Sequence, residues 1–106
     1  MITNEQINYI IKIITETEKP QKIVLFGSYA NGSANNDSDL DLLIIKNSEI
    51  PVNKRCRELR KHLRGLKIPM DILMYTQEEI AEWKDTKAAF VTKILEQGKV
   101  LYAEKN

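Results

Sequence analysis

The segment FGSYANGSANNDSDLDLLII, residues 26–45, decides the fold, because a turn rich in glycine, serine and asparagine leads directly into an apolar strand. Two carboxylates, Asp39 and Asp41, stand at the head of that strand, which we predict over residues 39–45. Alternate residues of a strand project to the same face, so these side chains should lie side by side, about 7 Å apart along the chain. Their repulsion falls away if a divalent cation lies between them, and oxygen ligands favour magnesium.

Composition limits the function without identifying it. The 106 residues are enough for one core, and we expect a single domain over residues 1–106. Lys and Arg number 16 against 15 Asp and Glu, so the net charge indicates neither a nucleic-acid nor a membrane partner. A single cysteine excludes an internal disulfide, and neither a secretory signal nor an apolar run of about 18 residues is present. We therefore expect a cytoplasmic protein.

The rest of the chain predicts an α/β (α+β) fold, a short mixed sheet with helices packed on it. Thr3 with Gln6, and Thr76 with Glu79, have the spacing of capping boxes at helix starts. Short runs of branched apolar residues bounded by glycine, proline or polar turns indicate strands. The predicted elements are helices over 3–18, 53–67 and from 77 to about 83, a last helix capped by Asp85 or Thr86 and ending at Gly98, strands over 22–26, 39–45 and 70–75, and a short edge strand over 100–102.

Three further residues extend the acidic motif. Asp71 lies in the apolar strand 70–75, where an unpaired charge is expensive, and three carboxylates converge if that strand lies beside residues 39–45. Such a cluster can hold two metal ions for a phosphoryl or nucleotidyl displacement. Gly27, directly after a strand, lets backbone amides approach a phosphate, and the hydroxyl of Ser28 adds a hydrogen bond. The residues thus point to nucleotide chemistry.

Together these residues resemble a known signature. Phe26-Gly27-Ser28, ten intervening residues and then Asp39-Leu40-Asp41-Leu42 are similar to the motif of the DNA polymerase β nucleotidyltransferase superfamily. The Ser-Tyr-Ala and Ser-Asp-x-Asp-Leu context and the ending ILEQGKVLY resemble the minimal nucleotidyltransferases (MNT proteins) over roughly residues 20–102. The resemblance implies that Gly27 and Ser28 bind the triphosphate of ATP and that Asp39, Asp41 and Asp71 are catalytic residues that bind two Mg²⁺ ions. Asp71 would also receive the proton of the acceptor hydroxyl.

The resemblance also implies a partner. Minimal nucleotidyltransferases commonly act as antitoxins that add AMP to a hydroxyl of a HEPN-domain toxin, so we expect a hetero-oligomer with such a protein. The sequence departs from many members at Asn31, where they carry arginine, whose guanidinium binds phosphate better than an amide does. Asn31 favours an alternative in which the protein neutralises its toxin by masking it without catalysis. A second alternative is transfer to a small molecule, as in aminoglycoside-modifying enzymes, which usually need an additional domain.

Each motif also has a purely structural interpretation. Asp39 and Asp41 suit a solvated strand end, Gly27 a turn, Ser28 a helix cap, and Asp71 a strand edge. It is their combination at this spacing that favours a site. The helix over 53–67 carries seven cations and one glutamate, yet it lacks interleaved aromatic residues, so a solvated face is the better interpretation than a nucleic-acid surface.

Overall fold

A mixed four-stranded sheet organises the computed structural model, which describes residues 1–83 and 88–105. In the described part the strands are β1 (Lys22–Phe26), β2 (Leu40–Ile45), β3 (Met70–Tyr75) and β4 (Lys99–Ala103), and the α-helices are α1 (Asn4–Glu18), α2 (Ser28–Asn31), α3 (Arg57–Leu63), α4 (Gln77–Trp83) and α5 (Ala88–Gln97). The strand order is β3-β2-β1-β4, with β2 parallel to β3 and β1 antiparallel to both of its neighbours. The predicted α+β class is confirmed.

Both predicted capping boxes begin helices. The Thr3 amide donates to Gln6 Oε1 at 2.8 Å, and the Gln6 amide donates to Thr3 Oγ1 at 3.1 Å. The same reciprocal pair joins Thr76 and Glu79 at 2.8 and 3.0 Å ahead of α4. Each pair satisfies two amides that a helix start leaves without partners. No helix in the described part of the chain is long and apolar enough to cross a membrane.

Two predicted boundaries differ from the structure. The second strand begins at Leu40, so Asp39 lies in the connection that leads into it. The helix predicted over residues 53–67 is divided into a 3₁₀ turn at Val52–Lys54, the seven-residue α3, and a second 3₁₀ turn at Arg64–Leu66. The second turn contains Gly65, a poor helix former, and the chain leaves it through a left-handed residue, Lys67 (φ 55°). The predicted cap at Asp85 or Thr86 lies outside the described residues.

Alternation along the strands separates two apolar faces. Ile23 and Leu25 of β1 join Leu42 of β2 and residues of α1 and α3 in one core cluster, so we call this side the α1/α3 face. Val24, Leu43 and Ile45 join Ile94 of α5 and Ile80 of α4 in a second cluster on the α4/α5 face. The sheet is thus buried on both sides, which explains why β1 and β2 are continuous apolar runs.

A buried arginine covers the outer edge of β3. Arg55, whose side chain is only 6% exposed, donates to the carbonyl oxygen of Met74 at 3.3 Å and to that of Ile50. Its Nη2 donates to Glu79 Oε2 at 3.0 Å, and a second bond joins Nη1 to Oε1. Arg55 therefore satisfies an edge carbonyl and at the same time ties α4 to the chain before α3. The sequence analysis placed Arg55 among solvated cations, which is wrong for this residue.

We expect the charge of Glu79 to contribute to stability. The hydrogen bond from Arg55, with smaller help from Thr76, lowers the pKa of Glu79 below its usual 4.5. A depressed carboxyl pKa stabilises the fold above 4.5, and this contribution disappears as the pH falls through the folded-state pKa. Glu79→Gln should therefore lower the unfolding free energy by about 2 kcal/mol at neutral pH, the scale of a hydrogen bond between charged groups, and by progressively less in acid.

Urea denaturation between pH 7 and pH 3 measures this difference. Glu78→Gln is the matched control, because Glu78 is exposed in the same first turn of α4. An equal effect of the two substitutions at neutral pH would contradict the role of the Arg55–Glu79 pair.

Candidate active site

The parallel pairing of β2 with β3 brings two acidic residues to neighbouring positions. Asp41 is the register partner of Asp71, and the next pairs are Leu42 with Ile72 and Leu43 with Leu73. Neighbouring strands lie about 4.8 Å apart, so two residues in register present their side chains next to each other on one face. The sequence left open whether these strands were adjacent, and the sheet order answers that question.

Both carboxylates belong to the α4/α5 face. Leu43 packs in the cluster on that face, and Asp41 shares its side of β2 because the two positions are alternate residues. The pKa of Asp41 is raised above its usual value by partial burial first, and then by the negative charges of Asp71 and Asp39. The three predicted ligands are therefore close enough to repel one another. An uncompensated negative charge of this kind attracts cations.

Gly27 closes the site from the end of β1. Its backbone has φ 74° and ψ −156°, a region that side chains with a Cβ essentially do not occupy. A Cβ at this position would collide with Asp41 Oδ2, which lies directly against the Gly27 backbone. The strand register explains the approach, since Phe26 is the antiparallel partner of Asp41. Gly27 is thus needed both for the turn and for the space that Asp41 occupies.

The segment after Gly27 folds back on itself before β2. Ser28 begins the single turn of α2, and the amides of Ala30 and Asn31 donate to the carbonyl oxygen of Gly27 at 3.0 and 3.2 Å. Further along, Asn35 accepts from the amide of Asp37 at 2.8 Å in a short side-chain turn. These local bonds set the path by which the chain re-enters the sheet beside β1. Residues Ser28–Asn31 thus form one helical turn between β1 and β2.

The carboxylates fit magnesium in their chemistry, although they do not form a ready-made three-ligand site. Among residues 1–83 and 88–105, no group of three or more His, Cys, Asp or Glu side chains is arranged to hold a metal ion. The oxygen donors of Asp41 and Asp71 are the kind that Mg²⁺ prefers, and burial, followed by the charges of Asp71 and Asp39, raises the pKa of Asp41, so a bound ion would relieve the cost of its charge. The assignment of Asp39, Asp41 and Asp71 to metal ions stays a prediction.

A cavity that the sequence analysis did not identify lies beside Gly27. Its volume is about 170 Å³, and residues of α2 and of α5 line it. Lys93 and Phe90 are the α5 residues with the most evident chemistry, and the Phe90 ring meets Phe26 edge to face at 6.2 Å between centroids. Phe90 is 56% exposed. In the sequence, the i, i+3 spacing of Phe90 and Lys93 within the last predicted helix indicates that the two side chains lie on one side of that helix.

The remaining candidates lie away from the carboxylates or stay structural. His62 is exposed on α3. Cys56 is half-buried, and burial raises the pKa of its thiol, which favours the protonated, unreactive form. Trp83 packs edge to face on Tyr75 with 4.7 Å between centroids. Arg57 and most of the other cations of the 53–67 segment are exposed, so that segment presents a solvated basic face.

The fold and the acidic end of the sheet define a nucleotidyltransferase. The family model "Polymerase beta, Nucleotidyltransferase" matches residues 8–106, and the chain belongs to that family. The predicted enzyme class is thereby confirmed.

Two relatives from Methanocaldococcus jannaschii bear names that indicate which kind of nucleotidyltransferase this chain resembles. "Putative protein adenylyltransferase MJ0604" is 35% identical over 83 residues, which are 77% of this chain and 78% of the relative. "Putative protein adenylyltransferase MJ0141" is 31% identical over 98 residues, which are 84% and 95% of the two chains. This chain is therefore a homologue of proteins that bear the name protein adenylyltransferase.

Solved structures of toxin–antitoxin complexes share the fold. A chain of the complex described as "toxin-antitoxin with AMP-PNP" superposes with a TM-score of 0.68 at 25% identity, covering 97% of this chain and 76% of that one. A chain from the complex of a "tri-AMPylated Shewanella oneidensis HEPN toxin" with an "MNT antitoxin" has a TM-score of 0.58 and covers 92% of this chain and 69% of that chain. At 22% identity, the second likeness shows the shared fold alone. The predicted resemblance is confirmed at the level of the nucleotidyltransferase family by the family model and the two adenylyltransferase homologues, and the MNT antitoxin shares the fold.

We expect Asp41→Asn to stabilise the protein in the absence of metal and nucleotide. A raised carboxyl pKa means that the charged form is disfavoured in the fold, so its penalty grows as the pH rises through that pKa. An amide of the same shape removes this charge, and the thermal midpoint at pH 7 in EDTA should rise. Asp37→Asn, in the exposed turn, is the control and should leave the midpoint unchanged. A lower midpoint for Asp41→Asn would contradict the electrostatic account.

Gly27→Ala should destabilise the fold more than Gly32→Ala does. Gly32 is left-handed (φ 83°, ψ 7°), where a Cβ costs about 1–2 kcal/mol, whereas Gly27 (φ 74°, ψ −156°) lies in a region that is essentially restricted to glycine, so Gly27→Ala carries the larger backbone penalty. Only at Gly27 does the new Cβ meet another group, the Asp41 carboxylate, whereas nothing lies within 4 Å at Gly32. Chemical denaturation of the two variants compares these penalties. Equal losses of stability would show that Gly27 has no role in placing Asp41.

Proposed function

We propose that the protein is a magnesium-dependent adenylyltransferase that transfers AMP from ATP to a hydroxyl of a HEPN-domain toxin and acts as its antitoxin in the cytoplasm. The register of Asp41 with Asp71, closed by the Gly27 backbone, is the observation that carries the proposal. The homologues named protein adenylyltransferase and the fold shared with a toxin–antitoxin complex containing AMP-PNP support it. The proposed partner and acceptor come from this likeness.

The proposed reaction is a displacement at the α-phosphorus of ATP. The acceptor oxygen forms a bond to phosphorus, the bond from phosphorus to the oxygen bridging the α- and β-phosphates breaks, and pyrophosphate leaves. Asp71 is exposed on the β3 edge strand, and in this proposal it would accept the hydroxyl proton from a partner that approaches from solvent. The Gly27 backbone and the Ser28 hydroxyl would hold the phosphate tail of ATP.

The two Mg²⁺ ions would be held by Asp39, Asp41 and Asp71. When bound, the ions would neutralise the charge of the phosphates. Partial burial of Asp41 among other carboxylates favours this role, because the apo site carries repulsion that an ion relieves. The chain itself contributes positioning, through the strand register and the glycine turn. The single-domain organisation over residues 1–106 and the need for a partner to complete the acceptor side belong to the same proposal.

Transfer of label from ATP labelled at the α-phosphate tests the proposal. The purified protein, Mg²⁺ and a native extract containing the bound partner should give one labelled protein band. The Asp39→Asn/Asp41→Asn variant should give none, a loss of at least about 10³-fold if the carboxylates hold the metal ions. Asp37→Asn should label normally, since Asp37 lies in the exposed turn.

Three results would count against this function. Normal labelling by the double variant would exclude Asp39 and Asp41 as metal ligands. No labelling by the wild type, with the toxin still neutralised, would favour the non-catalytic masking module. Labelling of an aminoglycoside without any partner would instead favour the small-molecule alternative.

A further inference from the structure

The cavity beside Gly27 lies between the α2 segment and α5. Gly27 and Asn31 line it on the α2 side, and Phe90, Lys93 and Gln97 line it on the α5 side. The α5 residues recur at intervals of three and four, so they project from one side of the helix. Phe26, the register partner of Asp41, also lines the cavity. The cavity and the acidic cluster thus share the same end of the sheet.

Tight packing fixes α5 at this position. Ile94 is buried in the core cluster of the α4/α5 face together with Val24. Just after the helix, a Cβ on Gly98 would lie 2.6 Å from Val24 Cγ1 and 2.8 Å from the Leu25 carbonyl oxygen, so the backbones of α5 and β1 are in direct contact. A substitution at the exposed Lys93 does not disturb this packing. Lys93 is therefore carried by a rigid element while its own side chain reaches solvent.

One described residue gives the cavity a charge. Among the lining residues in the described part of the chain, 1–83 and 88–105, Lys93 alone is charged. Asn31 is neutral, and its Oδ1 accepts from the amide of Ser33 at 3.0 Å and from its hydroxyl, which leaves Nδ2 as the donor on the other side of the amide. The Asp41 carboxylate lies directly against Gly27, and the charges of Asp71 and Asp39 act on it. This negative charge repels an anionic ligand, and metal ions would neutralise it only in part. A cation beside Gly27 would offset that repulsion.

We propose that Lys93, together with the Asn31 amide, binds the β- and γ-phosphates of the nucleoside triphosphate and supplies the positive charge that the glycine turn lacks. This inference rests on the proposed function, because it assumes that the triphosphate lies against Gly27. The cavity is large enough for phosphate groups and continuous with the Gly27 backbone, so the phosphate tail enters it while the α-phosphate stays beside the carboxylates. Lys93 is then a determinant of preference for triphosphates over monophosphates.

Isothermal titration calorimetry with AMP-PNP and with AMP, both in Mg²⁺ buffer, tests the inference on the full chain. Lys93→Met should weaken binding of AMP-PNP roughly tenfold or more, the loss of one charge-assisted hydrogen bond to phosphate, and leave AMP unaffected. Lys12→Met is the control, since Lys12 is exposed on α1, which packs on the opposite face of the sheet. Asn31→Arg in the Lys93→Met background should recover the affinity, because it returns a cation to the same cavity.

Three outcomes overturn the inference while sparing the proposed function. In the first, Lys93→Met binds AMP-PNP with the affinity of the wild type. In the second, Lys93→Met weakens the binding of AMP and of AMP-PNP equally, which would indicate contact with the nucleoside. In the third, the Lys93→Met/Asn31→Arg double variant binds AMP-PNP as weakly as Lys93→Met does. Circular dichroism verifies that each variant is folded, and Lys93→Gln gives a second neutral side chain if the methionine variant is not. Wild-type protein that binds neither nucleotide would overturn the proposed function and this inference together.

Discussion

The parallel pairing of β2 with β3 is the constraint on which the site depends. If β3 were shifted by one residue, Asp71 would turn to the α1/α3 face and Ile72, now buried there, would take its place beside Asp41. The apolar residues of both strands therefore hold the two carboxylates together, because a slip would remove Ile72 and Met74 from the α1/α3 core cluster and bury a charge there. Core packing on the α1/α3 face thus fixes the relative positions of Asp41 and Asp71 on the α4/α5 face.

Arg55 protects this arrangement from the outside. β3 is an edge strand, and an uncovered edge invites pairing with another chain or loss of register. The guanidinium bonds to the carbonyl oxygen of Met74 and is itself held by Glu79 at the start of α4. Farther along the same edge, Arg60 donates to the carbonyl oxygen of Ile72 at 3.4 Å. Arg55 and Arg60, both from one basic segment, therefore donate hydrogen bonds to carbonyl oxygens of the β3 edge, as a neighbouring strand would.

The sequence predicted the local features of the fold and missed the long-range ones. Capping boxes at Thr3 and Thr76 and the apolar runs of β1 and β3 depend on neighbouring residues, so their positions could be read directly. The burial of Arg55 depends on Glu79, 24 residues away, and no local pattern separates it from the exposed cations around it. The interruption of the predicted 53–67 helix has a partly local signal, Gly65, whereas the early 3₁₀ turn has none that we recognise.

The site residues divide in the same way into those that a local motif predicts and those that only the fold brings together. Gly27, Asp39 and Asp41 belong to one contiguous signature, whereas the link from Asp41 to Asp71 requires the strand order. That pairing places Asp41 beside a second carboxylate, and burial, followed by the charges of Asp71 and Asp39, raises the pKa of Asp41, in a protein whose proposed substrate is also an anion. Metal ions would offset part of the repulsion between this site and that substrate, and cations of the chain or of a partner would offset the rest. Lys93 is separated from the motif by half of the sequence, so its place beside Gly27 emerges only when α5 packs on β1.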